Sequence, residues 1–170
     1  MSLQIAELST GELQLKQVLR HMPAPVGVVT SYDTNTGEPV GLAMSALMPV
    51  SLDPCAMAIC VNRSGSAYGA MIQAGRFCIN LLGPDLAHHM RPFADPAARD
   101  ERFVHADWAE HGRIRFIRCA PASIFCTIRQ TSSFGTHDLL VGEVDEIIGS
   151  GTSEILGWAN GALGLLSSLG

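Results

Sequence analysis

Three short clusters of polar side chains interrupt an otherwise apolar chain, and they hold most of its capacity for chemistry. The first closes the run Gly41-Leu42-Ala43-Met44-Ser45-Ala46, which carries little side-chain bulk and ends at a hydroxyl. The second follows Cys60 and reads Asn62-Arg63-Ser64-Gly65-Ser66. Small residues let a backbone approach a flat ligand, hydroxyls and an amide supply hydrogen bonds, and an arginine offers a counter-charge to an anion. Asn62 to Ser66 lies where a predicted strand gives way to a predicted helix, and unsatisfied N–H groups at such a start favour a phosphate. The bland readings are close strand packing for Gly41–Ala46 and an ordinary capping turn for Asn62–Ser66. The third cluster holds His137, in Gly135-Thr136-His137-Asp138, an imidazole whose ordinary pKa lies near neutrality. Asn80 stands alone inside the apolar run Phe77–Leu82 and must find hydrogen-bond partners there, from neighbouring backbone or from a ligand.

Several elements must position these groups. Ser9-Thr10-Gly11-Glu12 has capping-box spacing, and Leu15, Val18, Leu19 and Met22 recur at helical period until Pro23 and Pro25 stop them. Val26–Tyr32 and Val40–Leu47 read as a strand pair around the turn cluster Asp33–Pro39. Pro49, Asp53 and Pro54 bound an expected linker before a third strand, Ala56–Val61. A short helix follows over Ser66–Ala74, capped by Ser64 or Ser66 and stopped by Gly75. Phe77–Leu82 is a fourth strand, Asp85–Phe93 is helical in pattern, and the charged stretch Ala94–Arg113 is a lid or connector. Ser123–Gln130 and Leu139–Ile148 alternate as strands, and the tail from Glu154 is ambiguous between strand and helix. Alternating strands of this length favour a mostly antiparallel barrel with flanking helices over a doubly wound sheet.

Composition narrows the function classes. The chain of 170 residues fits one domain, and its net charge of −5 comes without any cluster among 11 basic residues, which argues against nucleic-acid binding. Only 16% of residues are charged, a low share that fits surface buried in an oligomer. The five cysteines form no CxxC pair and sit mostly in apolar runs, as buried thiols in a reducing compartment do. No signal peptide or membrane span is expected, so the reading is a soluble cytoplasmic protein. There is no GxGxxG after a strand, no Walker A motif and no GxSxG elbow. No metal site is expected: His88 and His89 are adjacent and should point apart on a helix, and His105, Asp107 and His111 follow no recognised ligand spacing.

The segment Val40–Ser66, with Phe77-Cys78-Ile79-Asn80-Leu81-Leu82 and His137-x-x-x-x-Gly142-Glu143-Val144, resembles the flavin reductase-like family, the reductase components of two-component monooxygenases. The resemblance covers about Leu15 to Val144. It implies an FMN-binding split β-barrel working as a homodimer, which transfers hydride from NADH or NADPH to FMN or FAD and supplies a partner monooxygenase. It further implies that Met44, Ser45, Ala46 and Cys60 border the flavin ring, with Asn80 a further flavin contact. Asn62, Arg63, Ser64 and Ser66 would hold the ribityl chain and phosphate, and His137 would face flavin and nicotinamide. The chain departs from the family pattern at Ala43, where a threonine is usual, and at Met44, where a small residue is usual. It also lacks the usual aromatic-rich end: Trp158 stands in for a phenylalanine and the final tyrosine has no counterpart. That departure motivates the alternative of a flavin-binding sensor or carrier without turnover.

Overall fold

The structure, a computed structural model, describes residues 9–149, 151 and 154–165. Its centre is a seven-stranded antiparallel sheet in the order β3-β2-β6-β9-β10-β5-β4. The strands are β2 (Gly27–Tyr32), β3 (Pro39–Met44), β4 (Leu47–Leu52), β5 (Cys55–Asn62), β6 (Arg76–Leu81), β9 (Ala122–Phe134) and β10 (His137–Ile148). Backbone hydrogen bonds do not close this sheet, because β3 and β4 form its two edges. Yet only Ser45 and Ala46 separate Met44 from Leu47. Three Cα–Cα steps reach at most about 11 Å, so the two edges must approach each other at this end. The sheet is therefore curled, with Ser45–Ala46 joining its two edges.

Buried apolar side chains fill the curl, Val29, Leu47, Ile59, Val61, Phe77, Ile79, Ile124, Cys126 and Leu140, and β3 adds the partly buried Leu42 and Met44. Helix α2 (Tyr68–Ala74) adds the fully buried Met71 to this core. The outer layer packs Val26 and Val28 against Leu82, Leu86, Phe93, Trp108, Ile117 and Leu156. Most of that layer comes from the segment between β6 and β9. This segment contains a 3-10 helix (Pro84–His89), helix α3 (Met90–Ala94), a second 3-10 helix (Pro96–Glu101) and a hairpin of β7 (Trp108–His111) with β8 (Ile114–Ile117). Gly41 makes the contact with α3 possible, since a Cβ there would lie 2.9 Å from the Phe93 ring.

Helix α1 (Thr10–His21) carries the expected capping box: Ser9 N–H donates to Glu12 Oε2 at 2.6 Å and Glu12 N–H donates to Ser9 Oγ at 3.3 Å. It buries none of its residues against the chain, and Leu13, Leu15, Val18 and Leu19 are all exposed. The tail resolves as a hairpin of β11 (Leu156–Ala159) and β12 (Ala162–Leu165), with β1 (Ala24–Pro25) beside β11. Asn160 and Gly161 both take positive φ, the two-residue turn whose twist matches its strands.

Four expectations are corrected. The stretch around Pro49 is not a linker but part of β4. An edge strand tolerates the missing N–H of proline, and the pairing slips between Pro49 and Ser51. Neither Ser64 nor Ser66 caps α2: Ala67 is its N-cap, without a side-chain bond. The lid region Ala94–Arg113 contains a 3-10 helix and the regular strand β7, which pairs with β8 just beyond it. Finally, only Cys78 and Cys126 among the five cysteines are buried, while Cys55 and Cys119 are exposed. Among the described residues no helix is long and apolar enough to cross a membrane.

Candidate functional site

The register of three strands builds one continuous face. Met48 of β4 pairs with Ala58 of β5, Cys60 pairs with Leu139 of β10, and Asn62 pairs with His137. Side chains alternate along a strand, so Ala58, Cys60 and Asn62 share the outer side while Ile59 and Val61 enter the core. Above this face runs a groove of about 330 Å³ lined by Met22–Pro25, Ser45–Met48, Ala58, Cys60 and Leu139. Its walls are almost entirely apolar, as ligand-binding clefts usually are. The β2–β3 ladder ends at Gly27↔Met44 and the β4–β5 ladder begins at Leu47↔Ile59, so the backbone of Ser45 lies between two ladders. Cys60 N–H donates to Ala46 O at 3.3 Å, which holds the connection over β5.

A second groove of about 380 Å³ shares Ser45 and Ala46 and continues to Lys16, Leu19 and Arg20 of α1 and to Trp158 of β11. Its lining is mostly apolar, with Lys16 and Arg20 adding positive charge and Trp158 an aromatic ring. A third groove of about 280 Å³ lies at the other end of β3, between Pro39–Gly41, Ser66–Ala67, Arg99, Arg102 and Phe103. Arg102 donates from Nε to Pro92 O at 2.7 Å and from Nη2 to Phe93 O at 3.4 Å, which fixes its guanidinium and leaves Nη1 for a ligand. Strand β3 connects the grooves, since Gly41 borders one and Ser45 the other. Four residues of strand span about 13 Å. An apolar slot and a cationic pocket at the two ends of one strand offer the separate contacts that a flat ring and a phosphate each require.

The structure brings Ser45, Ala46 and Cys60 to the first groove, and Asn62 and His137 one strand repeat beyond it. Met44 is half-buried at the end of β3, packed against the inner core rather than lining a groove. Ser66 borders the arginine groove. Asn62 turns on its own loop: its Oδ1 accepts from Ser64 N–H at 2.9 Å and from Ser64 Oγ at 2.8 Å. Asn80 is not brought to any groove. It is fully buried, with its amide committed to four partners inside the sheet. The residues that sequence reading missed at the grooves are Lys16, Arg20, Arg99, Arg102 and, as a groove wall, Trp158. They come from segments distant in the chain, and nothing local marks them.

Arg63 also has a different engagement from the expected one. Its guanidinium donates to Asp138 Oδ1 at 2.8 Å, to His137 O at 3.3 Å and to Gly135 O. Tyr68 Oη donates to the other oxygen, Asp138 Oδ2, at 2.5 Å. Arg63, Asp138 and Tyr68 thus fasten the β9–β10 turn, and with it His137, to the start of α2. The hydrogen bond from Tyr68, reinforced by Arg63, holds the Asp138 carboxyl at about 2. A depressed carboxylate adds stability above its unfolded pKa and loses it as pH falls through the folded value. Urea unfolding followed from pH 5 to pH 2 should therefore show stability declining on this limb, and Asp138→Asn should flatten that decline while lowering stability at pH 7. An unchanged acid limb in the variant would assign the titration elsewhere.

Comparison with known proteins places the chain in a family. The model of the flavin reductase like domain matches residues 19–167, reaching through the C-terminal hairpin. A protein of Pseudomonas syringae pv. syringae (strain B728a) named FMN reductase (NADH) RutF is 30% identical over 140 residues, covering 82% of this chain and 78% of its own. The reductase component of an FADH(2)-dependent resorcinol hydroxylase from Rhizobium sp. (strain MTP-10005) is 25% identical over 130 residues, covering 76% and 73%. Among solved structures, the Streptomyces globisporus C-1027 NADH:FAD oxidoreductase SgcE6, in complex with NAD and FAD fragments, superposes with a TM-score of 0.84 at 25% identity, covering 96% of this chain and 99% of that one. With a family model spanning most of its length and a relative at 30% identity, the chain belongs to the flavin reductase like domain family.

Proposed function

We propose that this protein is an NAD(P)H:flavin oxidoreductase whose flavin ring lies in the Ser45–Ala46 groove and whose flavin phosphate lies in the Ser66–Arg102 groove. The observation that carries the reading is the pairing of an apolar slot with a two-arginine pocket at opposite ends of β3. When bound, the flavin supplies the chemistry, accepting hydride from the reduced nicotinamide. The chain binds and orients. Ser45, between two hydrogen-bonded ladders, offers its backbone and hydroxyl to the polar edge of the ring. Met48, Ala58 and Leu139 exclude water from one face. His137 and Asn62 stand at the rim, and Thr136 Oγ1 lies 2.9 Å from His137 Nδ1, which orients the imidazole.

The neighbouring groove suits the reductant. Trp158 gives an aromatic face for nicotinamide, and Lys16 and Arg20 give charge for a pyrophosphate. This placement supports turnover over the sensor or carrier reading, because the divergent C-terminal hairpin returns an aromatic ring to Ser45–Ala46. Trp158→Ala should raise KM for NADH about tenfold, about 1.4 kcal/mol of binding, with the flavin Kd nearly unchanged. Steady-state oxidation of NADH and NADPH with added FMN or FAD tests the whole reading. Saturable flavin binding without nicotinamide oxidation would reject the enzyme and leave a carrier.

The working form is a homodimer, supported by the exposed apolar side chains of α1 and by Met48, Val50 and Leu52 along the edge strand β4. Its compartment is the cytoplasm, which the odd count of five cysteines without a CxxC pair supports. The reduced flavin passes to a partner monooxygenase, as the name of the Rhizobium relative suggests for that protein.

A further inference from the structure

Away from the grooves, the segment between β6 and β9 gathers four metal-ligating side chains. His88 and His89 end its first 3-10 helix, and His105 and Asp107 precede β7. The adjacent histidines do not point apart as an α-helix would make them. His88 Nε2, His89 Nε2 and His105 Nδ1 lie 3.5, 3.1 and 2.9 Å from one oxygen, Asp107 Oδ2. All four donor atoms fall within 4.8 Å of one another. Around a tetrahedral zinc ion with bonds of about 2.0–2.1 Å, neighbouring donors sit about 3.3 Å apart. The three measured edges bracket that value. The longest separation needs to close by about 1.5 Å, within rotamer reach of the exposed His88 and His105.

Hydrogen bonds and packing around the cluster add support. His88 Nδ1 lies 3.1 Å from the Asp85 carbonyl, to which it donates, so in the neutral ring Nε2 carries a lone pair. Asp107 N–H donates to His105 Nδ1 at 3.4 Å, a long contact that this nitrogen gives up when it turns to a cation. A carbonyl on the remote nitrogen of a ligating histidine is the usual second-sphere support. His89 is buried and held edge-on by Trp108, with ring centroids 5.3 Å apart, so one ligand is already fixed.

We propose that His88, His89, His105 and Asp107 form a closed, four-ligand site for zinc or a similar borderline divalent cation. With no position left open, such a site is structural. It clasps residues 88–89 to residues 105–107, closing the loop that presents Arg99, Arg102 and Phe103 to the third groove.

The full chain, stripped with EDTA and desalted, is titrated with zinc chloride and analysed for bound metal. The expected result is one zinc per chain, a higher Tm on zinc addition and, with cobalt(II), the intense visible bands of tetrahedral coordination. His88 and His105 are exposed, so the double variant H88A/H105A should keep the metal-free Tm and lose both zinc uptake and the zinc-dependent rise. Failure of the wild-type chain to retain stoichiometric zinc, or absence of tetrahedral cobalt bands, would overturn the site without any variant. Equal uptake by the double variant would do the same.

Discussion

Replacing Asn80 with leucine is expected to remove about 3–5 kcal/mol of stability, a large share of the roughly 5–15 kcal/mol that holds a domain folded. Asn80 Nδ2 donates to Val28 O at 2.9 Å and to Thr30 Oγ1 at 3.3 Å. Its Oδ1 accepts from Ile117 N–H and from Ser123 Oγ, both at 2.9 Å. One amide therefore ties β2 and β9 to β6, on which it sits, and adds β8 from the outer layer. Leucine leaves the Ile117 N–H and the Ser123 and Thr30 hydroxyls with fewer partners, inside a region from which water is excluded. Each buried group stripped of its partner costs about 1–3 kcal/mol. Asn80→Asp is the sharper variant, because it keeps the acceptor yet turns a carboxyl oxygen toward the Val28 carbonyl. Urea unfolding reads both. A loss below about 1 kcal/mol for the leucine variant would show that the amide is dispensable. Flavin affinity of the folded variant should stay near that of the parent, which distinguishes this role from the flavin contact that the resemblance implies.

Asn80 also shows where sequence reading succeeds and stops. An amide inside the apolar run Phe77–Leu82 announces a buried network, but not its members, because Ile117 and Ser123 lie some forty residues away. Local signals were legible where one mechanism decides the outcome. The Ser9–Glu12 capping box, the alternating strands and the Gly75 stop, at φ 65°, all stand where expected. Pro49 misled because it forbids a central strand and not an edge one. Ser64 misled as a cap because α2 starts only at Tyr68, with Ala67 as its N-cap, which leaves Ser64 in the preceding turn, bonded to Asn62 Oδ1. Strands β7 and β8 are four residues each and carry charge, too short for their alternation to stand out. The site was legible only in part. Ser45, Ala46 and Cys60 sit on one groove because β5 pairs with β10 and the sheet curls, and neither fact is written locally. The same applies to His88 and His89: their rings converge on Asp107 Oδ2 together with His105, and both partners arrive from sixteen or more residues further along the chain.

Ser66→Asp is expected to raise the Kd for FMN about a hundredfold, about 2.7 kcal/mol, while Ser66→Ala raises it only severalfold. Ser66 shares its groove with Arg99 and Arg102, and the guanidinium of Arg102 is locked by two backbone carbonyls. Anchored arginines are strong receptors for a phosphate, since no rotamer freedom is lost on binding. A carboxylate at residue 66 occupies the same cations and repels the incoming dianion, so the loss exceeds that of deleting a hydroxyl. Riboflavin supplies the internal control, having the same ring without the phosphate. Its affinity should change less than about threefold in the same variant, because the ring rests about 13 Å along β3, at Ser45–Ala46. Titrations followed by flavin fluorescence give both constants. A parallel fall for FMN and riboflavin would mean that the variant distorts the ring slot, and an unchanged FMN constant would place the phosphate outside this groove. Only a selective loss for FMN assigns the two ends of the ligand to the two ends of β3.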